Sequence, residues 1–176
     1  MNQEADPKTL HTSRSPRKQA ESIGYIDVLI VGAGLSGIAA AYHLQQQCAN
    51  KNFLILERMN SFGGTWLTHK YPGIRSDSDL HTFGYSFKPW TSAPIASADE
   101  IRKYMGEVIE ENGIASHIRY HHKVLKAVWS SEQKLWTLTV HKTDSDEFFI
   151  CRGTIGEWYR RLNAEDFNKL AARDGL

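Results

Sequence analysis

The chain has 176 residues, 41% of them hydrophobic and 23% charged, with Lys+Arg 21 against Asp+Glu 20 and a formal net charge of +1. That is enough chain to bury a core of its own, and so even a charge balance gives no field that would make nucleic acid or an acidic membrane the main partner. No run approaches the roughly 20 apolar residues of a spanning helix, the polar N-terminus lacks the apolar centre of a secretory leader, and Cys48 and Cys151 stand far apart, outside any metal or redox spacing. The expected compartment is therefore the cytosol, and both thiols are expected to be inert.

Residues 1–24 carry almost no large apolar side chain, so burial there cannot offset the entropy of ordering, and a disordered tail is expected. The basic run Ser13 to Lys18 reads either as a docking or modification site or as part of that solvated tail. Order is expected from Tyr25, within a folded domain spanning 25–153. Tyr25 to Val31 is a nearly unbroken apolar run rich in β-branched residues, which suits a parallel strand covered on both faces. Gly32-Ala33-Gly34-Leu35-Ser36-Gly37 follows, then Ile38 to Gln47 with helix formers and an apolar side, then a second apolar run, Phe53 to Leu56, ending on Glu57. The order is strand, helix, strand.

From Arg58 to Ile95 the chain is irregular and dense in Gly, Pro, Ser and aromatic residues, the composition of a segment folded around something. Ser97 to Glu100 then forms a capping box. Ile101, Tyr104, Met105, Val108 and Ile109 keep helical spacing, and Gly113 supplies the stop. Val124–Trp129, Leu135–His141 and Glu147–Cys151, separated by polar turns, predict a three-stranded meander. Residues 154–176 form a divergent tail, with a helix expected over Ala164 to Arg173.

The glycine pattern matters because of where it stands. Gly32 lets the chain turn sharply out of the strand, Gly34 removes the side chain that would keep a pyrophosphate from the backbone, and Gly37 lets helix and strand approach closely. The helix N-terminus then presents unpaired N–H groups to negative charge. Glu57, at the end of the second strand, can accept hydrogen bonds from ribose hydroxyls and disfavours a 2′-phosphate by like-charge repulsion. The pattern therefore points to FAD or NAD rather than NADP at this first site.

Three further runs follow: Ser61-Phe62-Gly63-Gly64-Thr65-Trp66, Tyr71-Pro72-Gly73-Ile74-Arg75-Ser76-Asp77, and Phe83-Gly84-Tyr85-Ser86-Phe87-Lys88-Pro89-Trp90. With the glycine loop, and in this order, they resemble the N-terminal FAD region of class B flavoprotein monooxygenases, the group containing Baeyer–Villiger and flavin-containing monooxygenases, and most of all the ethionamide-activating type. The likeness runs from Ile26 to Gly153. It implies an α/β fold, a Rossmann-like FAD-binding domain with a glycine-loop helix on a parallel sheet joined to the meander.

The resemblance also implies roles for matching positions. Gly32, Gly34, Ser36 and Gly37 would contact the FAD diphosphate, Glu57 the adenosine ribose, and Gly64, Thr65 and Trp66 the region leading to the flavin ring. The backbone of Val124 would meet adenine. Arg75, Ser76 and Asp77 would form a loop beside the flavin where NADPH also arrives, with Asp77 in a catalytic role close to an Arg from a later part of the family's chain. Plainer readings stand beside these: Trp66 and Trp90 as core filling, Asp77 and Asp79 as turn formers, and His117 with His121 as an i, i+4 pair lacking a third ligand, so that no metal site is expected. His69 and His81 receive no role.

In that family NADPH reduces FAD, and the reduced flavin uses O₂ to insert oxygen into a ketone or to oxidise sulfur or nitrogen. Small-molecule substrate and O₂ are the implied partners. The family's second glycine motif for NADPH and its catalytic Arg have no counterpart here, so a shortened member is expected, one whose bound FAD would release hydrogen peroxide rather than oxygenate. The alternatives are a non-catalytic flavin- or nucleotide-binding module and an NAD-binding domain of a dehydrogenase or epimerase. A truncated sheet would also leave edges open to self-association.

Overall fold

The computed structural model describes residues 21–153; the expected helix at Ala164 to Arg173 and most of the expected N-terminal tail lie outside them. Strand β1 covers Glu21–Tyr25, strand β2 Val28–Val31, helix α1 Leu35–Gln47 and strand β3 Phe53–Leu56. Two short helices, α2 at Thr65–Thr68 and α3 at Leu80–Phe83, precede the long helix α4 at Ala98–Glu111. A 3-10 turn at Ile114–His117 leads to β4 at Ile118–Arg119, and the meander follows as β5 His122–Ser130, β6 Leu135–Lys142 and β7 Glu147–Gly153.

Two sheets result. The parallel one has the order β2-β3-β4, with Val28 opposite Phe53, Val31 opposite Leu56 and Ile55 opposite Ile118. Every residue of the central strand β3 is buried, and alternation along a strand explains how one apolar run serves two cores. Phe53 and Ile55 join Ile38, Ala41 and Leu44 of α1 and Ile101, Met105 and Val108 of α4. Leu54 and Leu56 point the other way, onto Leu138, Val140 and Cys151 of the meander. The molecule is a helical layer, a parallel sheet and a second sheet, in that order.

The second sheet has the order β1-β7-β6-β5. Its edge strand β1 lies partly within the stretch expected to be a tail, and this corrects the start of the ordered region from Tyr25 to Glu21. The strand pairs parallel to β7, with Glu21 opposite Phe149 and Ile23 opposite Cys151. Ladder hydrogen bonds use backbone groups, so a polar segment can add to a sheet with no apolar pattern to announce it.

Helix α4 starts as its sequence dictates. Ser97 Oγ accepts from the Glu100 N–H at 3.3 Å, and Glu100 Oε2 accepts from the Ser97 N–H at 2.8 Å. The irregular stretch 58–97 is folded onto this helix rather than loose. Ser76 N–H donates to the Ala96 carbonyl and Ala96 N–H to Ser76 Oγ, closing the loop beside an antiparallel bridge between Arg75 and Ser97. Asp79 caps α3 by accepting from the His81 N–H at 2.8 Å, which matches its reading as a turn former. Trp66 and Trp90 are both partly buried against the main core.

Candidate functional site

The site is built where β2 and β3 end. Gly32 leaves β2 with φ +98°, a conformation that favours glycine, and donates its N–H to the Leu56 carbonyl at 2.9 Å. A side chain at Gly37 would land on the Gly32 carbonyl oxygen, so the close return of α1 over the loop requires glycine there. Gly34 is the N-cap of α1, and the first intrahelical donor is Ile38, bonding the Gly34 carbonyl at 3.1 Å. The N–H groups of Leu35, Ser36 and Gly37 therefore precede the helical ladder and carry its partial positive charge.

The second glycine pair completes the turn. Gly63 N–H donates to the Ala33 carbonyl at 2.9 Å, and a methyl placed on Gly64 would stand 3.1 Å from the Gly34 Cα. Two glycine segments separated by some thirty positions thus meet backbone to backbone, leaving space that side chains would fill.

Glu57 is buried, yet it lines the cleft. Its Oε2 accepts from the Ala33 N–H at 2.7 Å and its Oε1 from the Met59 N–H at 2.8 Å. Carboxylate oxygens have capacity for further bonds, so the group holds the glycine loop and still offers acceptor sites to the cleft. Its backbone sits between the two sheets, donating to the Arg119 carbonyl at 2.9 Å and accepting from the His122 N–H at 2.8 Å. Tyr120, beside it, has its hydroxyl pKa raised, first by burial and then by the Glu57 charge.

A cavity of about 490 Å³ opens over these groups, lined by Gly32, Glu57, Gly64, Thr65 and Val124 together with Val31, Leu56, Arg58, Met59, Thr68, His122 and Lys123. Five of the residues singled out in the sequence therefore share one cleft, and Gly34 and Gly37 lie against its glycine floor. Ser36 faces elsewhere, into a separate cavity of about 110 Å³ with His43, Phe83, Tyr85 and Phe87. Trp66 packs on the core.

Arg75, Ser76 and Asp77 do not line the large cavity. Ser76 is buried and engaged with Ala96, Arg75 donates from Nε to the Gly73 carbonyl at 3.3 Å, and the Asp77 carboxylate receives the Ser78 hydroxyl at 3.4 Å.

Arg58, Thr68, His122 and Lys123 were not foreseen as part of the cleft. Arg58 had a signal, since it follows Glu57 directly. The others depend on topology: His122 and Lys123 arrive because β5 begins beside the end of β3, and Thr68 because its hydroxyl donates to the Gly64 carbonyl at 3.1 Å. Among the described residues no group of His, Cys, Asp and Glu could hold a metal ion, and no helix is long and apolar enough to cross a membrane. Cys48 and Cys151 are unpaired, and burial pushes the Cys151 thiol up to about 11.

A family model described as an NAD(P)-binding Rossmann-like domain matches residues 30–93. The FAD-containing monooxygenase EthA of Mycolicibacterium smegmatis is 56% identical over 117 residues, which cover 66% of this chain and 24% of that protein. EthA of Mycobacterium tuberculosis is 45% identical over 154 residues, covering 81% of this chain and 32% of that protein. Among solved structures, an oxidised steroid monooxygenase bound to NADP aligns with a TM-score of 0.63 at 28% identity, over 72% of this chain and 24% of that one. The chain thus spans between about a quarter and a third of the length of the curated relatives it matches. In sequence and in fold, the chain is similar to the N-terminal part of FAD-containing monooxygenases.

Proposed function

We propose that the chain binds FAD in the 490 Å³ cleft and serves as the flavin-holding portion of an NADPH- and O₂-dependent monooxygenase. The observation that carries this reading is the convergence of Gly32, the Gly34–Gly64 contact, Glu57 and Val124 around one cleft. The residues fit the group. A diphosphate needs bare amides and no side chains, which the two glycine segments and the start of α1 offer. A ribose with a free 2′-hydroxyl needs an acceptor, which Glu57 offers, and adenine needs an exposed strand backbone, which Val124 offers at the cleft wall.

When bound, FAD would supply the redox and oxygen-activating chemistry of the family. The chain's own contribution is binding and orientation. Glu57, already held by two backbone N–H groups, presents its carboxylate in a fixed direction, and Arg58 and Lys123 set positive charge at the same cleft. Gly64 and Thr65 carry the wall toward the flavin end, and Trp66 backs them from the core. Arg75, Ser76 and Asp77 are assigned to the loop that meets NADPH, with Asp77 placed to pair with an arginine from elsewhere in a whole enzyme. The substrate class would be small ketones or molecules with oxidisable sulfur or nitrogen, in the cytosol, and the exposed sheet edge would allow self-association.

The test is direct. Purified protein should be yellow and release FAD on denaturation, and Gly34→Leu should purify colourless while remaining folded by circular dichroism. Folded wild-type protein that takes up neither FAD nor NAD in calorimetry would end the proposal, and uptake of NAD alone would move it to a dehydrogenase-like domain.

A further inference from the structure

Arg102 is unusual among the cations of the described residues. It lies on α4, its Nε is buried, and that N–H has no hydrogen-bond partner. A buried donor without a partner costs free energy, so its retention calls for a reason. Its surroundings supply one. The guanidinium carbon sits 5.9 Å from the centre of the Phe62 ring, and a methyl on Gly63 would stand 3.2 Å from Arg102 Nε and 3.4 Å from Cδ. One turn along the same face of α4, a methyl on Gly106 would meet Phe62 Cζ at 3.2 Å. Gly106 thus opens a seat for the Phe62 ring and Arg102 closes over it, with a favourable cation–π orientation.

The segment held this way runs into the cleft. Phe62 precedes Gly63, which bonds the Ala33 carbonyl, and Gly64, which touches Gly34. We propose that Arg102 is a further residue of the dinucleotide site: held behind Gly63 by the Phe62 ring with its Nε–H unspent, it fixes the second glycine pair against the first and supplies positive charge to the diphosphate. This rests on the reading of the cleft as an FAD site. A partly buried cation close behind backbone that cradles an anion acts with little screening from water. Arg102 is thereby a positioning residue whose charge also contributes, and both effects are separable by substitution.

The experiment titrates the full chain, stripped of flavin, with FAD and reads the dissociation constant from flavin fluorescence, alongside the melting temperature of the stripped protein. Arg102→Met keeps the stem and removes the charge; it is expected to weaken FAD about tenfold or more while the stripped protein melts near the wild type. Arg102→Lys keeps the charge and is expected to bind within about threefold of the wild type. Unchanged FAD affinity in Arg102→Met, or an equal loss in both variants, overturns the proposal. If Arg102→Met does not fold, a tenfold loss in folded Arg102→Lys overturns it. Wild-type protein that binds no FAD would instead strike the reading of the cleft itself.

Discussion

The two sheets of this molecule put their apolar residues to opposite ends. In the parallel sheet the whole of β3 is buried, its alternate side chains feeding two cores, and the functional cleft opens where its strands stop. In the meander, β5 is buried at His122 but exposed from Leu125 to Trp129, with Leu125, Val128 and Trp129 all open to solvent. Only the first three residues of β5 reach the cleft. Burial and site construction therefore coincide, since loops are positioned accurately only where the strands feeding them are immobilised on both faces.

The sharpest way to break this contrast is at Gly37. Gly37→Ala drives a methyl into the Gly32 carbonyl, a backbone atom that cannot step aside, and should cost at least about 3 kcal/mol in urea unfolding and abolish flavin retention. A Gly37→Ala protein with wild-type stability would mean that α1 does not close over the loop as described. Next comes Ile55→Ala in the centre of β3, fully buried, with an expected loss of about 2–5 kcal/mol by the same measurement.

Ser97→Ala removes half of the capping box on α4 and should cost about 1 kcal/mol. This loss depends on pH. The Glu100 carboxyl is held below its ordinary value, first by the Ser97 backbone N–H and then by the Ser97 hydroxyl. A depressed carboxylate contributes stability above its unfolded pKa and loses it as pH falls through the folded one. The gap between wild type and Ser97→Ala should therefore be wider at neutral pH than in acid, where only the bond from the Glu100 N–H to Ser97 Oγ still separates them; a gap that widens in acid would contradict the box. The smallest effect is expected at Val128→Ala, on the exposed part of β5, within about 0.5 kcal/mol of wild type. A loss matching that of Ile55→Ala would show that the outer meander is covered in solution.

The same contrast explains what was legible in the sequence. The strand, helix, strand order around Gly32 and Glu57 could be read because every step leaves a side-chain signature: an apolar run, three glycines, an acid. The capping box of α4 and the three meander strands were equally open to pattern. Strand β1 was not, because its pairing with β7 rests on backbone groups. The stretch 58–97 was also opaque in detail. Ser76 holds Ala96, Ser36 turns to the smaller cavity and Arg102 closes over Phe62, all through contacts between segments far apart in the chain. No local period encodes such meetings. They had to be seen in three dimensions.

Glu57 joins the parallel sheet to the meander through its main chain, by bonds to Arg119 and His122, while its side chain holds the glycine loop. A single residue thus couples three parts of the molecule, and none of them can swing away without releasing the acid. Whatever enters the cleft consequently meets a preset acceptor rather than recruiting a wandering one, and the entropic toll of freezing that side chain is settled during folding, before any guest arrives.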